Sequence, residues 1–233
     1  MELVPICIGE TELMFRYHPA SLGSITPRPT HFISLPLRNK SLNENVLKLH
    51  KDLMEISNVP QEALIPTQRL HLTLFVLTLT NDQQIQQACK SLHLFDLVLA
   101  SILMKFKDYG KIAANVRIRG LALMKGNPKS ARVLYGRVNA DPSLFKFIKA
   151  VQSEFHDNGL VKSLKNPLLH ATFMNTKTLS NNINDPVSLN IESVFQKWID
   201  SHFGDIILET CELSRMSQHD ENGYKYDGFI TFH

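Results

Sequence analysis

The stretch Arg69–Leu79, RLHLTLFVLTL, decides how the rest of the chain is read. It is apolar and strand-forming, with two polar side chains spaced two apart. Successive side chains of a strand point to opposite faces. His71, Thr73 and Phe75 are therefore expected on one face, and Leu70, Leu72, Leu74 and Val76 on the other. The pattern returns about one hundred residues later in Leu168–Thr176, LLHATFMNT. There His170, Thr172 and Met174 share a face opposite Leu169, Ala171 and Phe173. Each strand thus has a dry face for packing helices and a face carrying one imidazole and one hydroxyl. In a chain with ten histidines, two bare His-x-Thr tripeptides are weak signals. The bland alternative is two polar pairs on ordinary half-exposed strands.

Working outward, Thr30–Leu37 alternates and reads as a strand. Ser41 and Glu44 have capping-box spacing for a helix whose stripe is Leu42, Val46, Leu49, Leu53 and Ile56. Asn81 and Asp82 can cap a helix with Ile85, Cys89 and Leu92 on its inner face, which continues or restarts through LFDLVLASILMKF. Asn115–Met124 and Ala131–Val138 predict a hairpin. Asp141 starts a helix that Gly159 is placed to end. After the second motif come a polar loop, NTKTLSNNINDP, a short helix in IESVFQKWIDSHF, one strand in DIILETCELSRM, a DENG turn and a closing strand, YKYDGFITF. Residues 1–28 read as an irregular lead-in, followed by one domain over 29–233. The mixture predicts an α+β fold. A helix before each motif strand and another after it, recurring at a period near one hundred residues, predicts two lobes with one motif each.

Composition excludes several classes. The three cysteines, Cys7, Cys89 and Cys211, are odd in number and isolated, so neither a disulfide framework nor a structural zinc site has its ligands. A reducing compartment is expected. No apolar run approaches the roughly 18 residues of a membrane span, and the N-terminus lacks the layout of a signal peptide. A formal charge of +3 permits a polyanionic partner without requiring one.

Two imidazoles and two hydroxyls lining one groove suit a phosphodiester. One imidazole takes a proton from the attacking oxygen while the other protonates the leaving oxygen, both near their ordinary titration range. Thr73 and Thr172 can donate to non-bridging phosphate oxygens. No metal or other cofactor is called for. Arg215 is a candidate for a bidentate phosphate contact, with a solvated surface arginine as its alternative. Phe75 is a candidate for stacking a base, with a core position as its alternative. Other histidines, His50 among them, lack a partner motif.

These motifs resemble the paired His-x-Thr/Ser-x-apolar signatures of the two-histidine phosphoesterases, a superfamily that includes RNA ligase-like enzymes, cyclic nucleotide phosphodiesterases and the nucleotide-binding domain of an A-kinase anchoring protein. PTHF, LHLTL, VLYGRV, LLHATFMNTK, HFG and LSRM together resemble the phosphoesterase-like domain of the activating signal cointegrator 1 complex subunit 1 family. The resemblance implies a bilobal fold with two pseudo-symmetric lobes around a central cleft, catalytic His71 and His170, and an RNA or nucleotide ligand such as a 2′,3′-cyclic phosphate. It also implies a nuclear protein, monomeric outside a helicase-containing complex of transcription coactivation and alkylation repair. That family has an RNA-binding KH domain before this region; residues 1–28 are too short for one and lack its Gly-x-x-Gly loop. A non-catalytic RNA- or nucleotide-binding subunit using the same cleft is the alternative.

Overall fold

The computed structural model describes residues 2–8, 11–17, 28–105, 115–124, 126–180 and 187–232. Strands β1 (Glu2–Ile8) and β2 (Thr11–Tyr17) pair antiparallel in the segment expected to be irregular. Pro5, inside the first strand, disguises the alternation. From there the chain runs β3 (His31–Pro36), α1 (Lys40–Ser57), β4 (His71–Leu77), α2 (Asp82–Lys105), β5 (Asn115–Leu123), β6 (Val133–Ala140), α3 (Pro142–Asp157), β7 (His170–Asn175), α4 (Glu192–Trp198), β8 (His202–Ile207), β9 (Thr210–Asp220) and β10 (Gly223–Thr231). Residues 181–186 of the polar loop and the tail of the LFDLVLASILMKF segment lie outside the described residues. Among the described residues, no helix is long and apolar enough to cross a membrane.

Two four-stranded antiparallel sheets result, ordered β10-β9-β3-β4 and β7-β6-β5-β8. The motif strands β4 and β7 are each an edge of their sheet. The repeated unit is strand, helix, motif strand: β3-α1-β4 in one half and β6-α3-β7 in the other. The α+β expectation and the two lobes hold.

The helices are exchanged between the halves. Helix α1 lies along β8 of the second sheet, where the Asn45 side-chain amide donates to the Phe203 carbonyl at 3.0 Å. It is tied there to α4 by the Trp198 indole, which donates to Asp52 at 2.6 Å. Helix α3 packs against the first sheet instead, with Phe155 edge-on to Phe75 and Phe147 edge-on to Phe232. One continuous apolar core runs through both halves.

Several local readings change. Helix α1 is capped by Asn39, whose side chain accepts from the Leu42 amide at 2.9 Å, so Ser41 sits inside the helix rather than at its cap. An Asn two residues earlier satisfies the same orphan amides. In its stripe Leu42, Val46, Leu49 and Leu53 are fully buried, but Ile56 is 50% exposed because the helix ends beside it. Asn81 accepts from the Gln84 amide and Asp141 from the Ser143 amide, as their positions implied, and α2 is continuous. Gly159 adopts φ +70° just beyond α3. The segment DIILETCELSRM is two strands, not one. Alternation carries on through buried Leu208, but there the chain leaves the second sheet for the first.

The largest departure lies in the motif strands. Both contain a β-bulge, and it falls at the same place. In β4 the pairing steps from Thr73↔Ser34 to Phe75↔Ile33, passing over Leu74. In β7 it steps from Thr172↔Tyr135 to Met174↔Leu134, passing over Phe173. An extra residue on one strand reverses the alternation beyond it. Phe75 therefore turns to the helix side against Phe155, Val76 comes out to 48% exposure, and Met174 is fully buried. His71 with Thr73, and His170 with Thr172, keep a common face because they precede the bulge.

The ring of the bulged Phe173 needs a glycine beside it, at Gly136. A Cβ on Gly136 would sit 2.7 Å from the Phe173 ring and 2.6 Å from Ile118. Gly136→Ala is expected to cost about 1–3 kcal/mol of stability through overpacking, measured by urea denaturation.

The bulged Phe173 carbonyl accepts two hydrogen bonds, from the Ile65 amide at 2.9 Å and from His50 Nε2–H at 3.1 Å. Burial lowers the His50 pKa to about 4, against a smaller opposing effect of this bond. The unfolded imidazole takes up its proton near 6.5, whereas the folded one stays neutral down to about 4. The full stability is therefore present above pH 6.5 and is lost as pH falls through that window, by roughly 3 kcal/mol for this group. His50→Gln keeps a donor but does not titrate. Denaturation at pH 7 and pH 4.5 should show a smaller acid loss in this variant than in the parent protein.

Candidate active site

Each motif histidine is oriented by its own strand. His71 Nδ1–H donates to the Arg69 carbonyl at 2.7 Å, and His170 Nδ1–H donates to the Leu168 carbonyl at 2.7 Å. A carbonyl only accepts, so both bonds fix the proton on Nδ1 of the neutral ring and leave Nε2 as the working nitrogen. A backbone partner two residues earlier is set by local chain geometry, which explains why the two sites match.

Each imidazole also has an aromatic wall. Tyr135, across from Thr172 on β6, meets His170 edge-on at 5.3 Å. Tyr224 on β10 meets His71 edge-on at 5.2 Å, and Phe32 on β3 lies at 5.0 Å on another side. A pocket of about 980 Å³ lies between the start of α1 and the β9–β10 turn, and Tyr224 borders both it and His71.

The settings of the two histidines differ in detail. The Thr73 hydroxyl donates to His71 Nε2 at 3.1 Å, whereas the Thr172 hydroxyl has no hydrogen-bond partner among the described residues. Burial between Phe32 and Tyr224 lowers the His71 pKa. The bond to the Arg69 carbonyl opposes this, and the charge of His170 lowers it further. That last effect agrees with the contact between the motif strands β4 and β7. At neutral pH His71 is therefore an unprotonated base.

The structure brings His71, His170, Thr73 and Thr172 together on two facing edge strands. It does not bring Arg215 or Phe75 to them. Arg215 pairs with His31 at the far end of β3, on the face opposite Ser34 and Thr73. There its guanidinium forks onto Asp227, which also accepts from His31 Nε2 at 3.0 Å. Burial works against the Asp227 charge, but Arg215 and His31 outweigh it and hold the carboxyl below its usual range. Arg215 is thus a structural partner on the α2 side of the sheet. Phe75 is placed in the packing against Phe155.

Sequence reading missed Tyr224. It lies on β10, three strands away from β4 in sheet order, on a strand whose pairing with β9 is bulged on either side of Tyr226, and its ring still reaches His71. Its alternation with Tyr226 was a visible signal, but the partner across the sheet was not.

Residues 29–231 match the family described as the AKAP7 2′5′ RNA ligase-like domain. The chain belongs to this family. It is therefore a member of the two-histidine phosphoesterases, and the matched segment contains both motifs. The chain is 28% identical over 161 residues to mouse activating signal cointegrator 1 complex subunit 1, a match covering 63% of this chain and 42% of that one. It thus spans under half the length of that relative. Among solved structures, E. coli LigT complexed with 3′-AMP superposes with a TM-score of 0.53 at 15% identity, covering 88% of this chain and 98% of LigT. A structure described as a phosphoesterase gives 0.51 at 15% identity, covering 88% and 99%. Both show that the fold is that of the family.

The electrostatic reading can be measured directly. In an imidazole NMR titration His71 should titrate below 6.5, and His170→Gln should raise its midpoint part of the way back. An unchanged midpoint in that variant would mean that the two rings do not sense each other.

Proposed function

We propose that this domain hydrolyses or binds phosphodiesters of RNA or nucleotides by acid–base chemistry between His71 and His170, without a metal. The observation that carries this reading is the matched pinning of both Nδ1 atoms, which presents two Nε2 atoms from facing strands. On a 2′,3′-cyclic phosphate, the water oxygen bonds to phosphorus as its proton passes to His71 Nε2. The bond from phosphorus to one ribose oxygen breaks, and that oxygen takes the Nε2 proton of His170, which enters the step as the imidazolium and keeps its Nδ1–H on the Leu168 carbonyl. The products are a phosphomonoester and a free ribose hydroxyl, and the two histidines have exchanged protonation states. The Thr73 hydroxyl, now on His71, turns to a non-bridging oxygen, and Thr172 donates to another. The depressed His71 pKa supports its role as base, since general bases work best when free of a proton at the operating pH.

The likeness to a cointegrator-complex subunit supports a second reading, in which the cleft holds RNA or nucleotide within a nuclear assembly without turning it over. Both readings use the same residues and part on one assay. With cyclic-phosphate and short RNA substrates, His71→Ala and His170→Ala should each lower kcat by about 10²–10⁴-fold. The double variant should fall little below the worse single one, because the two rings act as a unit. Turnover that survives the double substitution places the chemistry elsewhere. Absent turnover, with nucleotide binding weakened by the same substitutions, establishes the binding subunit.

A further inference from the structure

The face of the second sheet that carries His170 does not end at the cleft. Residues directly paired across antiparallel strands point to the same side. Arg137 on β6 is paired with His170 on β7, and Arg117 on β5 is paired with Asn139 on β6. Between those registers β5 bulges, so Arg119 and Gly120 stand opposite the Arg137 region. The other face of these strands is core: Val116, Ile118, Leu134 and Ala171 are buried. Arg117, Arg119, Arg137 and Asn139 are all exposed. They border a depression of about 340 Å³ together with Gly120 and Asp200.

Arg137 reaches across to β5. Its Nη1 lies 3.8 Å and its Cδ 3.9 Å from where a Gly120 side chain would begin, and Gly120 holds φ +77° beneath it. This draws its guanidinium toward Arg119. Arg117 is already matched by Asp205 at 2.6 Å. Among the described residues, neither Arg119 nor Arg137 has an ion-pair or hydrogen-bond partner for its guanidinium. Asp200 borders the same depression but pairs with neither, so two exposed like charges stay unmatched in the free protein, a cost that a polyanion would relieve.

We propose that Arg137 and Arg119 form a backbone track for single-stranded RNA, taking the phosphates next to the one held between His71 and His170. The inference rests on the proposed nucleotide cleft and adds where the remainder of the ligand lies. Arg137 is one strand from His170 and Arg119 two, about 5 and 10 Å across the sheet. Tyr135, on the same face beside His170, offers an aromatic edge at the start of the track. A planar guanidinium grips a phosphate through two parallel donors, so arginine suits this task.

The test compares uridine monophosphate with oligouridylates of two and four residues, by equilibrium titration of the full chain at several salt concentrations. The tetranucleotide should bind about tenfold tighter than the mononucleotide. Arg119→Ala/Arg137→Ala should remove that gain, leave mononucleotide affinity unchanged, and reduce the salt slope by about 1.4, close to 0.7 per lost phosphate contact for a single strand. Arg119→Lys/Arg137→Lys should recover part of the gain, which shows that the loss is not one of folding. A length-dependent gain that persists in the alanine variant overturns the track, as does an equal loss for the mononucleotide. His71→Ala/His170→Ala is the separate control. If it leaves mononucleotide binding intact, the cleft reading fails, whereas a normal mononucleotide response with the gain retained refutes the arginines alone.

Discussion

The Phe173 carbonyl is the point on which the two halves depend. It belongs to the bulged residue of β7, yet both of its donors, the Ile65 amide and His50, come from the first half of the chain. A buried carbonyl left without partners would cost of order 1–3 kcal/mol, and here the second half cannot supply them. The exchange of helices imposes the same dependence on a larger scale. Helix α1 covers the sheet that contains β7, and α3 covers the sheet that contains β4. Helices α2 and α4 stay with their own halves, but each sheet takes part of its cover from the other half, so the cleft between the motifs comes from the same packing that makes the fold.

Within that frame, one local device builds two unlike histidines. Both are held by the carbonyl two residues back at the same length. What separates them is their surroundings: His71 is enclosed by Phe32 and Tyr224 and takes the Thr73 hydroxyl, whereas His170 has Tyr135 beside it and a Thr172 hydroxyl without a bond among the described residues. The difference between the two histidines thus arises from the surroundings of the tripeptide rather than from the tripeptide.

Much of this was legible in the sequence because it is local. Strand alternation put His71 with Thr73 and His170 with Thr172, Asp141 and Gly159 bracketed α3, and the recurring order marked two halves. What stayed hidden depends on partners far along the chain. Nothing in HLTLFV or HATFMN announces a bulge, since both strands keep their apolar run, and so Phe75, Val76 and Met174 were placed on the wrong sides. Arg215 carries no mark of its engagement with Asp227, twelve residues away on the next strand. His50 looked idle because its acceptor is a backbone atom 123 residues distant. The break between β8 and β9 was invisible because Leu208 stays buried while the chain changes sheets.

Both motif strands are the last strands of their sheets. A free sheet margin is normally an invitation, since its open row of amides and carbonyls can recruit a strand from another molecule. Here the two margins are turned on each other, and Leu64 forms an isolated bridge with Met174 on the open side of β7. The molecule thereby shields both margins from other chains by their mutual proximity.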